Sequence, residues 1–290
     1  MTLRLPARVV AAAGALALSG ATLAVLTPAG AVSGTLTYTC TVLGAAKQLT
    51  VVADTDAPAT ISFGETITPT ASGTITVPED VTTTARDGGA KKVDGKADVA
   101  ATVSNEARPM TLTAKQTNVP SNGAMQIEVS GPAGSFVGAA AGTTYAVAVG
   151  DFTATLNLYE ANGTALAAPL SPQVIPCVLN AGQNPAVDTI TVVKDATTTS
   201  VTARDIAPNH RPKAKVTVTA EHGSVPQGLI KAKLVRKGKV LQTKVLGLRD
   251  GARKVRFAPV AKAGDYKVKV RYRGGANWTG DRELDTFTVE

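Results

Sequence analysis

From Tyr266 to Arg273 the chain reads Tyr-Lys-Val-Lys-Val-Arg-Tyr-Arg, a strict two-residue alternation of apolar and basic side chains. Successive side chains of a β-strand leave opposite faces, so such a run suits a strand with one face on a core and the other in water. The same period recurs, fully or nearly, over residues 198–203, 213–220, 229–236, 239–246, 252–257 and 286–289. Seven short strands in this span match a small sandwich with two facing sheets.

The preceding part of the chain carries the same signal in weaker form. Residues 35–42, 48–52, 74–77, 145–149 and 152–159 are short Thr- and Val-rich runs punctuated by Gly, Pro and Asn. One segment departs from the pattern. Pro78 precedes Glu79 and Asp80, and Gly88 follows, which predicts one short helix over 78–87. Three successive β-branched residues, Thr82 to Thr84, oppose it. The expected fold class is all-β: an N-terminal β-sandwich with one short helix, then a C-terminal immunoglobulin-like β-sandwich.

Charge separates the two parts. Residues 32–190 carry 7 basic and 13 acidic side chains, whereas residues 191–290 carry 21 basic and 9 acidic. The net formal charge of +8 is therefore the sum of a mildly acidic unit, a strongly basic one and two arginines near the start. Composition shifts near Lys194-Asp195-Ala196, which predicts a short linker there. The expected divisions are 1–31, 32–190 and 195–290.

The first division reads as a secretory signal peptide. Arg4 and Arg8 precede an apolar run over 9–26, and Ala29-Gly30-Ala31 offers a small-x-small cleavage site after Ala31. The alternative is an uncleaved anchor, since the run could just span a bilayer. No later apolar span and no wall-sorting tail occur, so the expectation is a secreted, extracellular or wall-associated chain without a transmembrane segment after cleavage. In an oxidising compartment the only two cysteines, Cys40 and Cys177, are expected to form one disulfide. A reactive thiol would need a neighbouring Lys, Arg or His, and residues 174–179 contain none.

Two resemblances follow from particular residues. Ala263-Gly264-Asp265-Tyr266-Lys267-Val268-Lys269-Val270-Arg271-Tyr272-Arg273-Gly274, then Asn277-Trp278 and Phe287-Thr288-Val289, resemble bacterial immunoglobulin-like repeat domains over about 195–290. That resemblance implies a tyrosine-corner role for Tyr266 and spacer, adhesion or display functions, with no active site carried over. Thr37-Tyr38-Thr39-Cys40, Ile75-Thr76-Val77-Pro78 and the lone late Cys177 are similar to a secreted two-Cys β-sandwich domain of unknown function from high-GC Gram-positive bacteria, over about 33–190. It implies a compartment and a class, and no mechanism.

Catalytic chemistry finds little material. His210 and His222 are the only imidazoles; the first sits in a turn sequence and the second at the end of a strand, both read as surface histidines, and no metal site is expected. The acid groups Asp54 with Asp56, Glu79 with Asp80, and Asp281, Glu283 and Asp285 read as solvated carboxylates. No nucleophile elbow or phosphate loop occurs. No cofactor is expected, and the chain is read as non-catalytic.

The ordered constellation is basic. Period two sends Lys267, Lys269, Arg271 and Arg273 to one side of their strand, and Lys231 and Lys233 to one side of another. In an immunoglobulin-like topology these two strands are neighbours, which places six cations on one exposed face. Such a face attracts an anionic cell-wall polymer or acidic glycan. Nucleic acid is disfavoured because no aromatic side chains interleave the outward positions. A protein partner and docking onto the acidic unit are the other readings, alongside lysines that only keep the sandwich soluble. Trp278, in a loop after Gly274-Gly275, is a candidate contact for a sugar ring or partner. The function expected is a secreted envelope protein that binds or spaces. The alternative, an accessory or degenerate carbohydrate-active enzyme, requires facing carboxylates in a cleft of the first unit.

Overall fold

The structure is a computed structural model that describes residues 34–290. The expected signal peptide and its cleavage site at Ala31 lie outside the described residues. The first part of the chain contains β1 (Thr35–Val42), β2 (Ala45–Thr55), β3 (Thr60–Ser62), β4 (Thr66–Ile67), β5 (Thr70–Val77) and α1 (Glu79–Asp87). It continues with β6 (Lys92–Val103), β7 (Glu106–Ala107), β8 (Met110–Asn118), β9 (Met125–Pro132), β10 (Phe136–Val137), β11 (Thr144–Tyr159), β12 (Gln173–Leu179) and β13 (Ala186–Val193). After it come β14 (Thr197–Ala203), β15 (Lys213–Ala220), β16 (Leu229–Arg236), β17 (Lys239–Gly247), β18 (Ala252–Arg256), β19 (Gly264–Tyr272) and β20 (Asp281–Val289).

The fold is all-β with one short helix, as the alternation requires. In the first part the main sheet returns on itself. Its order runs β11-β12-β1-β2-β5-β9-β8-β6, and β6 pairs again with β11, so eight strands form a closed, barrel-like ring. Closure depends on a bulge in β11 between Val149 and Phe152 and on Gly95 in β6. Gly95 has φ 147°, where a Cβ would strike the Thr155 carbonyl oxygen, so only glycine lets the two strands approach. The inner faces bury Leu36, Tyr38, Cys40, Leu49, Ile75, Ile127, Ala154 and Ile175 in one cluster. Cys40 and Cys177 face each other across β1 and β12 and are bonded, S–S 2.04 Å.

The helix occurs where the sequence places it, with Pro78 as its N-cap rather than its first turn. The threonines are accommodated by bonding back to the chain. The Thr82 hydroxyl donates to the Pro78 carbonyl at 3.0 Å and the Thr84 hydroxyl to that of Asp80 at 2.9 Å. The connection has a defined task. Strands β5 and β6 are separated in the ring by β9 and β8, so the chain must cross the ring's end between Val77 and Lys92, and α1 makes that crossing. Val81 and Ala85 of α1 pack on the interior cluster.

Seven strands form the second part, in sheets of order β14-β15-β18 and β17-β16-β19-β20. This is the A-B-E and C′-C-F-G arrangement of an immunoglobulin-like sandwich. A second cluster, centred on Val216, Ile230, Leu234, Val268 and Tyr272, lies between the sheets. The Tyr266 hydroxyl donates to the Lys262 carbonyl at 2.7 Å, the tyrosine-corner bond that the resemblance implies. Among the described residues no helix is long and apolar enough to cross a membrane.

Candidate functional site

Strand register decides what the basic residues form. Antiparallel pairing of β16 with β19 sets Lys231 opposite Arg271 and Lys233 opposite Lys269. Pairing of β19 with β20 then sets Arg271 opposite Arg282. Lys231, Arg271 and Arg282 therefore form a row across three strands, with neighbouring strands about 4.8 Å apart. Lys267 and Arg273 extend the face along β19, both exposed, while Lys231 and Lys233 on the central strand are half-buried. A shallow depression between Lys231, Lys233, Lys269, Arg271 and Arg282 marks the middle.

Like charges directly opposite on one sheet face are destabilising by a few tenths of a kcal/mol to about 1 kcal/mol per pair. Glu283 borders the same depression, but among the described residues no carboxylate lies within ion-pair distance of these cations. Among the described residues the ion pairs are Lys47–Asp80, Lys96–Asp98, Arg108–Glu106, Lys115–Glu128 and those of His222 with Glu65 and Asp195. None takes a cation of this face. The other sheet repeats the motif on a smaller scale, with Lys213 opposite Arg256 and Lys215 opposite Lys254. Arg282 was absent from the sequence reading, although its place in the alternation of 281–289 could have found it.

The acids expected to be solvated mostly hold backbone. Asp281 and Asp285 of β20 accept from the amides of Thr199 and Ala203, at 2.5 and 2.7 Å, and so tie the edge of one sheet to β14 of the other. Asp56 accepts from the Thr70 amide and Glu79 from the Gly123 amide, while the half-buried Asp54 and the exposed Glu283 cap their own following residues. Asp80 pairs with Lys47, whose ammonium holds that exposed carboxyl below the usual range. The cavity inside the ring has no Asp or Glu in its lining, so the facing carboxylates that a glycosidase requires are not there.

Two residues stand differently from the expectation. Trp278 is half-buried rather than free at a loop tip. Its ring meets Phe63 edge-on at 5.4 Å, and its Nε1 donates to the Ser224 hydroxyl at 2.9 Å. His222 is not a free surface imidazole. Its Nδ1 lies 2.7 Å from a carboxylate oxygen of Asp195, the residue expected in an exposed linker, which has 0% exposure. The Asp195 backbone bonds to Asn277 and Thr279, which explains its burial. Asp195, Glu221 and His222 bring one ligand atom each within 4.8 Å of one another. His210 is exposed and bonds only to the Pro208 carbonyl.

A family model described as "Family of unknown function (DUF6801)" matches residues 37–188. No curated protein sequence matches the chain. Among solved structures it is similar to the Yersinia pseudotuberculosis adhesin InvE, at 14% identity and TM-score 0.27, over 83% of this chain and 58% of that one. It is similar to Salmonella alpha-2-macroglobulin reacted with methylamine, at 10% identity and TM-score 0.28, over 85% of this chain and 26% of that one. The chicken CNTN1 FN1-FN3 domains align at 7% identity and TM-score 0.24, over 91% of both chains. The chain thus spans only part of the length of the first two.

Proposed function

The chain belongs, through residues 37–188, to the family of unknown function DUF6801, and from that premise we propose that it is a secreted, non-catalytic binding protein of the cell envelope. In this reading the chain has two units, at 32–190 and 195–290. The first is a disulfide-bonded unit of the kind exported by high-GC Gram-positive bacteria. The second is a repeat-type immunoglobulin-like module that engages an anionic wall polymer or acidic glycan.

One observation carries the reading: the row Lys231, Arg271 and Arg282, opposite one another and, among the described residues, in no ion pair. A protein keeps such a row against its own repulsion when a polyanion meets it, because bound phosphates or carboxylates convert the repulsion into attraction. Retention on purified Gram-positive cell wall tests the idea. Binding should fall steeply between low salt and roughly 0.3 M, as screening shortens. A Lys267→Glu, Lys269→Glu, Arg271→Glu and Arg273→Glu variant should be lost from the wall while its thermal unfolding stays cooperative. Salt-independent retention, or retention of that variant, rejects the polyanion face.

A further inference from the structure

The ring encloses a cavity of about 270 Å³. Its origin lies in composition: only 4% of the chain is aromatic. An eight-stranded ring is just wide enough either to be filled by side chains or to hold one small ligand. Here the closure seam is built from small residues. Ala154 of β11 stands opposite Ala97 of β6, and Gly95 stands opposite Ala114 of β8. Phe152 is the one aromatic side chain in the cavity lining, so the interior near the seam is left open.

The mouth is at the end crossed by α1. Val81, Thr84 and Ala85 of the helix line the cavity there, with Leu43 from the β1–β2 turn and Gln173 at the start of β12. Two lysines border the cavity, Lys47 and Lys96; Lys96 is held by Asp98 at 3.0 Å. Lys47 shares the inward register of Leu49 and Val51 on β2 and pairs with Cys40 across the sheet. Its ammonium reaches the exposed Asp80 of α1 at 2.5 Å, and its side chain keeps 34% exposure. A greasy interior with the Lys47 ammonium at its α1 end is complementary to a molecule with an apolar tail and an anionic head.

We propose that the ring binds one free single-chain carboxylate amphiphile, with its tail between Ala97, Ala114 and Ala154 and its head on Lys47. An apolar cavity of about 150 Å³ stays dry and takes a six-carbon ring. By proportion, 270 Å³ accommodates a tail of about ten carbons. The head joins Asp80 on the Lys47 ammonium, which has three donors and gives one to Asp80.

Calorimetric titration of the full mature chain with decanoate and with 1-decanol tests this. Decanoate should bind once per chain, and decanol about fivefold more weakly, the worth of a part-exposed charge pair. Lys47→Met should weaken decanoate by the same factor and leave decanol unchanged. Ala154→Phe should abolish both while holding or raising the melting temperature, because the ring enters empty space. Phosphatidylglycerol vesicles should not float the protein; flotation would assign the cavity to a membrane lipid instead. No saturable binding of decanoate by the native chain, or undiminished binding by Ala154→Phe, overturns the proposal. Undiminished decanoate affinity in Lys47→Met overturns the placement of the head. That variant leaves the core untouched, so misfolding of Ala154→Phe does not remove the test.

Discussion

The imidazole of His222 and the carboxylate of Asp195 lie 2.7 Å apart, one a quarter exposed and the other wholly buried. That bond, more than the opposing desolvation, raises the His222 pKa above its ordinary 6.5; the charges of Asp195, Glu65 and Glu221 add to the rise. A raised pKa means that folding favours the protonated imidazole. The contribution is complete below about pH 6.5 and is lost as pH rises through the raised value. In urea unfolding, the stability gap between the native chain and His222→Gln should therefore be widest in mild acid and narrow toward alkaline pH. A gap that widens with pH would contradict the bond.

Trp278 is the chain's single tryptophan and rests against Phe63 and Ser224, residues of the two different parts. Its fluorescence is therefore a reporter of that contact. Phe63→Ala should shift the emission to the red at native conditions, without loss of β-sheet circular dichroism.

The bond between Cys40 and Cys177 closes a loop of sequence separation 137. On the chain-entropy view such a loop is worth about 5 kcal/mol, and native disulfides typically deliver 2–4 kcal/mol. The double variant Cys40→Ala, Cys177→Ala should lose stability on that scale, read as a lower urea midpoint.

Repulsion along Lys231, Arg271 and Arg282 predicts a trade between binding and stability. Arg271→Thr should stabilise the chain by roughly 0.5 kcal/mol at low ionic strength, since it removes two like-charge contacts. The gain should vanish in salt, whereas loss of wall binding should remain. A destabilised Arg271→Thr would show that the row is not strained.

The Tyr266 hydroxyl is buried with 2% of the residue exposed, and its bond to Lys262 fixes the corner before β19. Tyr266→Phe should cost about 1 kcal/mol, the net worth of one such bond, in denaturant titration.

What could be read in advance followed periodicity. The strands of 191–290 were legible because alternation there is dense and coloured by charge, and the pairing of β16 with β19 follows from the immunoglobulin order. Of the first part's strands, only β1, β2, β5 and β11 coincide with runs expected from the sequence. β12 carries Pro176, a residue depleted in strands, which pairs with Thr153 of β11 just before pairing with β1 begins at Cys177, and β6 is rich in alanine, which has little strand preference. Closure of the ring depends on pairing β11 with β6, a long-range register that local pattern does not encode. The buried Asp195 escaped notice for a related reason. Its partners, Asn277, Thr279 and His222, are distant in sequence, and a charged residue between two strands reads as linker.

The ring's first strand, β1, lies between β2 and β12, which ends at Leu179. As the chain is made, the circle therefore cannot be completed until that last segment exists. A product shortened before Gln173 would present two raw sheet margins, at β1 and along β11, each able to recruit strands from other copies. Native assembly of this unit is thus late and concerted, and dominated by contacts between distant residues, which places it among slowly folding topologies. Shortened chains should then appear as aggregates rather than as smaller folded pieces.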